Sequence, residues 1–182
     1  MTYFLADPHY GHDREFIWKE RGFLSIPEHD QKLLNNCSQL DKEDSFYIIG
    51  DVSCGRNSLE NALEFLNKLT CKVFIVRGNH DEELFQHRRK LPFNIHFIDS
   101  VYLDIKVEGQ KITLCHYPMI SWNASHHGSW LLYGHVHNKK IPIDGKMLDV
   151  APTKDHIYPY SLDEIKEIMK TKPNNWDYIE KK

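Results

Sequence analysis

The 182-residue chain, 41% apolar and 27% charged, has the length and composition of one soluble domain with its own core, spanning 1–182. Its formal charge of −3 argues against a sequence-independent grip on long nucleic acid, which requires a basic stripe. No run of about 18 or more apolar residues offers a membrane span.

In chain order, Thr2 to Ala6 is the first predicted strand, a short run rich in β-branched and aromatic residues. The run begins at once, without a charged-then-apolar leader, so a cytoplasmic location is expected. Gln31 to Leu40 reads as a helix, and Ser45 to Ile49 as the second strand. Ser58 to Leu69 is an amphipathic helix with Leu59, Leu63 and Leu66 on one face and Asn57 or Ser58 as its cap. Lys72 to Val76 is a third strand, and Asp81 to Arg89 a short charged helix. Asn94 to Val107 reads as a hairpin-like pair leading to a Glu108-Gly109 turn, and strands follow at Ile112 to Cys115 and Trp130 to Tyr133. Ser161-Leu162-Asp163-Glu164 opens the last helix with a capping box, and Pro173 limits it. Residues 172–182 form a tail that either packs or frays. The cysteines at 37, 54, 71 and 115 lack a Cys-x-x-Cys pair and read as free thiols.

Five polar blocks stand directly after strands: Asp7-Pro8-His9, Gly50-Asp51, Gly78-Asn79-His80-Asp81, His116 and Gly134-His135-Val136-His137. Strand carboxyl ends are where an open α/β sheet gathers a site, so these distant blocks are expected to meet. Asp7 and His9, like His135 and His137, are two residues apart, and in an extended segment each pair projects to one side. Two carboxylates, one carboxamide and four imidazoles suit first-row divalent metals better than calcium, which prefers an all-oxygen shell. Singly, each block is ordinary turn chemistry, and Gly-His-x-His alone also fits a mononuclear zinc site. Together they require seven coincidences.

The order of these blocks, from Asp7 to His137, resembles that of the calcineurin-like metallophosphoesterases. The longer first block, Asp7-Pro8-His9-Tyr10-Gly11-His12, is similar to a bacterial and phage-type branch. The resemblance implies an α/β fold, a four-layer αββα sandwich of two mixed sheets flanked by helices. It implies two divalent ions, manganese by expectation with iron, zinc or nickel as alternatives. One would be held by Asp7, His9, Asp51 and His137, the other by Asp51, Asn79, His116 and His135, with Asp51 between them. The implied reaction is hydrolysis of a phosphodiester, or of a phosphomonoester, by a metal-bridging hydroxide. His80 would face the leaving group as proton donor, with Asp81 orienting it. Asn79, His12 and Arg77 are further candidates for contact with phosphate oxygens. The substrate would be a small phosphoester, nucleotide-like or a nucleic-acid end, with no membrane partner.

Trp122 is a candidate for stacking a nucleobase, and His126 and His127 read first as exposed loop histidines and second as part of a loop overhanging the site. Val52-Ser53-Cys54-Gly55-Arg56 departs from the continuation seen in phosphoprotein phosphatases, which argues against a protein substrate. Two other classes remain: a partner-binding module of this fold without catalysis, and a mononuclear zinc hydrolase.

Overall fold

The computed structural model describes residues 1–180. A first sheet holds β1 (Thr2–Ala6), β2 (Ser45–Ile49), β3 (Lys72–Val76) and β4 (Ile95–Ile98) in parallel, with the short β9 (Tyr160–Ser161) antiparallel beside β1. A second sheet places β5 (Tyr102–Val107) antiparallel to β6 (Gln110–Cys115), then adds β7 (Trp130–Tyr133) and β8 (Met147–Asp149) in parallel. The fold is therefore mixed α/β, two mixed sheets flanked by helices.

Alternation along the strands explains the layers, because successive residues point to opposite faces. Leu5, Phe46, Ile48, Val73 and Ile75 pack against Leu33 of α2 (Ile26–Cys37) and Leu59, Phe65 and Leu66 of α3 (Ser58–Asn67). Their neighbours Phe4, Ala6, Ile49 and Val76 turn the other way. They meet Ile112, Leu114 and Leu132 of the second sheet, with Ile165 and Met169 of α5 (Leu162–Thr171). Burial on both faces gives the central strands their nearly unbroken apolar character.

Helix starts follow their caps. The expected capping box is present: Ser161 N–H donates to Glu164 at 2.8 Å, and Glu164 N–H to Ser161 Oγ at 3.2 Å. The helix expected over Gln31 to Leu40 begins earlier, because the Ser25 side chain accepts from Glu28 N–H and Pro27 occupies the first turn. The expected helix over Asp81 to Arg89 is α4 (Glu82–Gln86) followed by a 3₁₀ turn at Arg88–Lys90. Asn57 precedes α3 in a left-handed conformation and makes no side-chain cap bond.

The hairpin expected over Asn94 to Val107 is corrected. Ile95–Ile98 joins the first sheet beside β3, whereas Tyr102–Val107 starts the second and pairs with β6 across the Glu108-Gly109 turn. Both runs read as strands locally, and only their burial partners divide them between sheets. The tail packs as far as it is described, to residue 180, with 181–182 outside the described residues: buried Asn175 accepts from Lys146 N–H at 2.7 Å and donates to the Ser125 and Ser129 carbonyls. Among the described residues, no helix is long and apolar enough to cross a membrane.

Candidate metal centre

All five blocks follow parallel strands, β1, β2 and β3 in one sheet and β6 and β7 in the other, so both sheets deliver side chains to one place. Asp7 N–H donates to the Gly50 carbonyl at 3.1 Å, His9 N–H to Asp51 at 3.1 Å and Gly134 N–H to His116 at 3.1 Å, which ties the block backbones pairwise.

The approach is close enough to require glycine at two junctions. A Cβ at Gly78 would lie 2.3 Å from Asp51 Oδ1 and 2.5 Å from its nitrogen, and one at Gly134 would lie 2.3 Å from Asp7 Oδ2. Gly78→Ala is expected to destabilise the protein by about 1–3 kcal/mol, the usual range for overpacking a site that cannot give way. Urea titration with and without metal checks this; an unchanged midpoint would mean that the junction gives way to a methyl group.

Asp7 and His116 are fully buried, and His9 and Asp51 nearly so. One ligand atom each from Asp7, His9 and His137 falls within 4.8 Å of the others, and the same holds for Asp7, Asp51 and His116. Asp51 Oδ2 lies 3.4 Å from His116 Nε2 and 3.9 Å from His9 Nε2, between the two groups of histidines. Asn79 Oδ1 is 3.0 Å from both His116 Nε2 and His135 Nδ1. His116 Nδ1 lies 3.0 Å from the Ile49 carbonyl, which turns Nε2 toward the cluster.

Electrostatics and unmet bonding both suit cations here. Asp7 Oδ1 and both His9 nitrogens are buried with no partner, an arrangement that costs free energy unless a ligand is bound. Burial pushes the Asp7 carboxyl up to about 8, offset in part by His116 and reinforced by the Asp51 charge. Burial works against a charged His116, but its bond to Asp51 and the charges of Asp51 and Asp7 overcome that and raise it to about 9. For Asp51, burial is outweighed by His116, and its carboxyl sits below the ordinary value. His137 is lowered to about 4, first by burial and then by Arg21. Without a cation, protons on Asp7 and His116 hold together a cluster that divalent ions would neutralise instead. The residues therefore fit divalent cations.

The backbone of these residues corrects one expectation. Asp7, His9, Asp51, His135 and His137 have φ of 48°, 49°, 54°, 70° and 50°, so neither His-containing pair lies in an extended segment. Such values are uncommon outside glycine and are held only where the surroundings enforce them. Arg21 supplies part of that enforcement. Its buried guanidinium donates to the Asp7 carbonyl at 2.7 Å and to Pro8 at 2.9 Å, and its Nη1 is 2.9 Å from His29 Nε2. His135 N–H donates to Asp7 Oδ2 at 2.7 Å. Arg21 escaped sequence reading because it follows α1 (Glu15–Glu20), a helix too short to show periodicity. Asp149, which accepts from Asn138 and Ala151 N–H, is a second supporting carboxylate without a sequence signal.

His80 stands at the rim, its ring 46% exposed and Nε2 3.9 Å from Asp51 Oδ2. Asp81 does not orient that ring. Its carboxylate accepts the backbone N–H groups of Asp51, Val52 and Gly78 at 2.8, 3.0 and 2.8 Å, which makes it the clamp joining two blocks. Arg77 pairs with Glu82 and lies over the Phe85 ring, so it is not delivered to the cluster. His12 is, with its ring centroid 5.2 Å from that of His9. Trp122 is buried and donates to the Ser129 carbonyl, which withdraws it from a stacking role. The rings of His126 and His127 lie against each other with centroids 4.1 Å apart, tilted by 47°.

Two aromatic residues that sequence reading passed over flank the histidines. Phe16, 53% exposed, lies 6.0 Å from the His12 ring and 6.1 Å from His137. Tyr117, 36% exposed, lies 5.1 Å from His116 and 4.6 Å from His135.

The chain is similar to an uncharacterized protein of Methanocaldococcus jannaschii, 25% identical over 174 residues that cover 92% of this chain and 90% of that one. Its fold is similar to that of a protein of unknown function from Aquifex aeolicus, with a TM-score of 0.68 and 22% identity over 92% of this chain and 98% of the other. An archaeal phosphodiesterase shares the fold at a TM-score of 0.51 and 14% identity, over 84% and 83% of the two chains. The family model of the calcineurin-like phosphoesterase superfamily domain matches residues 23–154, and with the convergent blocks described above this chain belongs to that superfamily.

Proposed function

We propose that this protein is a binuclear metal-dependent phosphodiesterase acting on a small, nucleotide-like ester, with monoester hydrolysis as its secondary activity. The observation that carries the reading is the cluster of Asp7, His9, Asp51, Asn79, His116, His135 and His137, buried at Asp7, His9, Asp51 and His116, open to solvent at Asn79 and His135, and with unpartnered Asp7 and His9 atoms. In this reading Asp7, His9, Asp51 and His137 hold one ion, Asp51, Asn79, His116 and His135 the other, and manganese is the expected metal. When bound, the ions supply charge neutralisation for phosphate oxygens and acidify water. The chain's own contribution is orientation. Asp51 faces both groups of histidines, Asp81 and Arg21 fix the ligand backbones, and His80 stands at the open rim to donate a proton to the departing oxygen.

Phe16 and Tyr117 support a planar substituent on the phosphate. Phe16 also lines a cavity of about 200 Å³ with Arg21, His137, Asn138 and Lys154, large enough to seat part of such a group. Phe16→Ala is expected to raise KM for a nucleotide diester about 5- to 150-fold, the worth of one base–aromatic stack, and to leave a small alkyl diester unaffected. Equal effects on both esters would remove Phe16 from recognition. The four cysteines are free, which supports a reducing compartment such as the cytoplasm.

The test is turnover by metal-depleted protein, with and without added manganese, of a bis-aryl phosphodiester and the matching monoester, with Asp51→Asn as the control. Manganese-dependent hydrolysis of the diester, lost in the control, is the expected result. Two bound metals without turnover of either ester would replace the enzyme by a partner-binding module of the same fold.

A further inference from the structure

Beside the centre stands a second group of donors with different chemistry. One ligand atom each from His9, His12 and Cys54 falls within 4.8 Å of the others. His9 and His12 are both more than nine-tenths buried, and His12 Nδ1 and both His9 nitrogens have no hydrogen-bond partner. Cys54 follows the Asp51 block by three residues and, unlike Cys37, Cys71 and Cys115, is only partly buried. We propose that His9, His12 and Cys54 form a distinct zinc site that shares His9 with the metal centre, so that zinc bound there withdraws His9 from the centre.

The donor set decides the choice of ion. Two imidazoles and a thiolate are the mixed nitrogen and sulfur donors of zinc, which takes such ligands at about 2.0–2.3 Å in a tetrahedron. A hard ion such as manganese or magnesium has little affinity for the sulfur. A zinc at those bond lengths keeps its donor atoms roughly 3.3–3.8 Å apart, within reach of small side-chain rotations from the spacing seen here. The fourth position is open to solvent or to Asp13, whose Oδ1, like the His12 ring, lies 3.5 Å from where a Cβ on Gly55 would stand. Binding releases the Cys54 proton to solvent and forms a sulfur–zinc bond, with no change of oxidation state. One imidazole does not ordinarily serve two cations, so His9 faces either Asp7 and Asp51 or Cys54. Occupation of the thiol site thus lowers the affinity of the centre for its first ion.

The site itself stands apart from the phosphodiesterase reading, and only its inhibitory consequence rests on that reading. Cobalt(II) is the probe, since thiolate coordination gives a near-ultraviolet charge-transfer band and nitrogen and oxygen ligands give only weak visible bands. Wild-type protein is expected to show both signals and Cys54→Ser only the visible ones. Zinc is expected to slow modification of Cys54 by a thiol reagent at least about tenfold, because the coordinated sulfur is no longer free to react. Zinc should inhibit the manganese-loaded wild type at concentrations well below those needed for the Cys54→Ser protein, whose manganese-supported activity is otherwise unchanged and where zinc acts only by displacing manganese from the centre. Visible cobalt bands without a thiolate band in wild type, or unchanged thiol reactivity with zinc, would overturn the site and leave the metal centre intact. A thiolate band in a protein without phosphoesterase turnover would uphold the site while removing the functional reading.

Discussion

The His80→Ala protein is expected to hydrolyse a phosphodiester with a poor, alkyl-type leaving group about 10²- to 10⁴-fold more slowly than the parent, with its bound metal and KM little changed. The contact that ties His80 to the ligand set is its backbone N–H, which donates to Asp51 Oδ1 at 2.9 Å and survives the substitution. The ring is half exposed and 6.2 Å from the His9 ring, so its removal opens no large cavity. What is lost is a proton donor at the rim. The loss should therefore shrink when the leaving group is a nitrophenolate, which departs without protonation. Steady-state kinetics on paired alkyl and nitrophenyl diesters, with metal content measured alongside, decides the matter. An equal loss on both esters would make His80 part of the metal-holding structure.

Saturating manganese is expected to raise the melting temperature by about 8–16 °C, and by more at pH 9 than at pH 7. A ligand at a thousand times its dissociation constant adds about 4 kcal/mol, and each kcal/mol is worth about 2–4 °C in a chain of this size. The pH dependence follows from two protons. The Asp7 carboxyl is raised to about 8 by burial, so its proton stabilises the metal-free fold fully below the unfolded value near 3.8 and ceases to do so as pH rises through 8. His116 is raised to about 9 by Asp51 and Asp7 against the effect of burial, and its contribution is lost as pH climbs from 6.5 through 9. His137 acts in the opposite sense: lowered to about 4, it contributes above pH 6.5 and fails as pH falls through 4. Between about pH 7 and 9 the metal-free protein therefore weakens, and bound cations replace the two departing protons. Thermal melts across that range, with and without metal, check the slope. A metal-induced shift that stays flat or declines toward pH 9 would mean that Asp7 and His116 are not where the cations bind.

Much of the site was legible in the sequence because its determinants are local. Parallel strands buried on both faces leave short apolar runs such as Phe46-Tyr47-Ile48-Ile49, and polar blocks stand out after them. Delivery of Asp7, His9, Asp51, Asn79, His116, His135 and His137 to one cluster follows from those strand ends. Their backbone conformation was not legible, since aspartate and histidine, although more tolerant of the left-handed region than most residues, adopt it too rarely to mark a position as glycine does. Arg21 was missed for a related reason: its role depends on two carbonyls thirteen and fourteen residues away, after a six-residue helix. Adjacency in the sequence pairs Asp81 with His80, whereas in the fold three backbone N–H groups claim its carboxylate. Ile95–Ile98 and Tyr102–Val107 read alike, and only the choice of sheet, a property of the assembled core, separates them.

Five of the seven clustered residues hold a conformation that their own side chains disfavour. At His9, His135 and His137 glycine or asparagine, and at Asp7 and Asp51 glycine, would rest more easily than the residue present. Selection for chemistry and selection for stability therefore pull in opposite directions at the same positions. A lineage released from the need to hydrolyse esters would drift toward those two residues there and gain robustness as it lost metal. Glycine or asparagine at these five places, on an otherwise intact scaffold, would be the mark of a descendant that has kept the shape and abandoned the reaction.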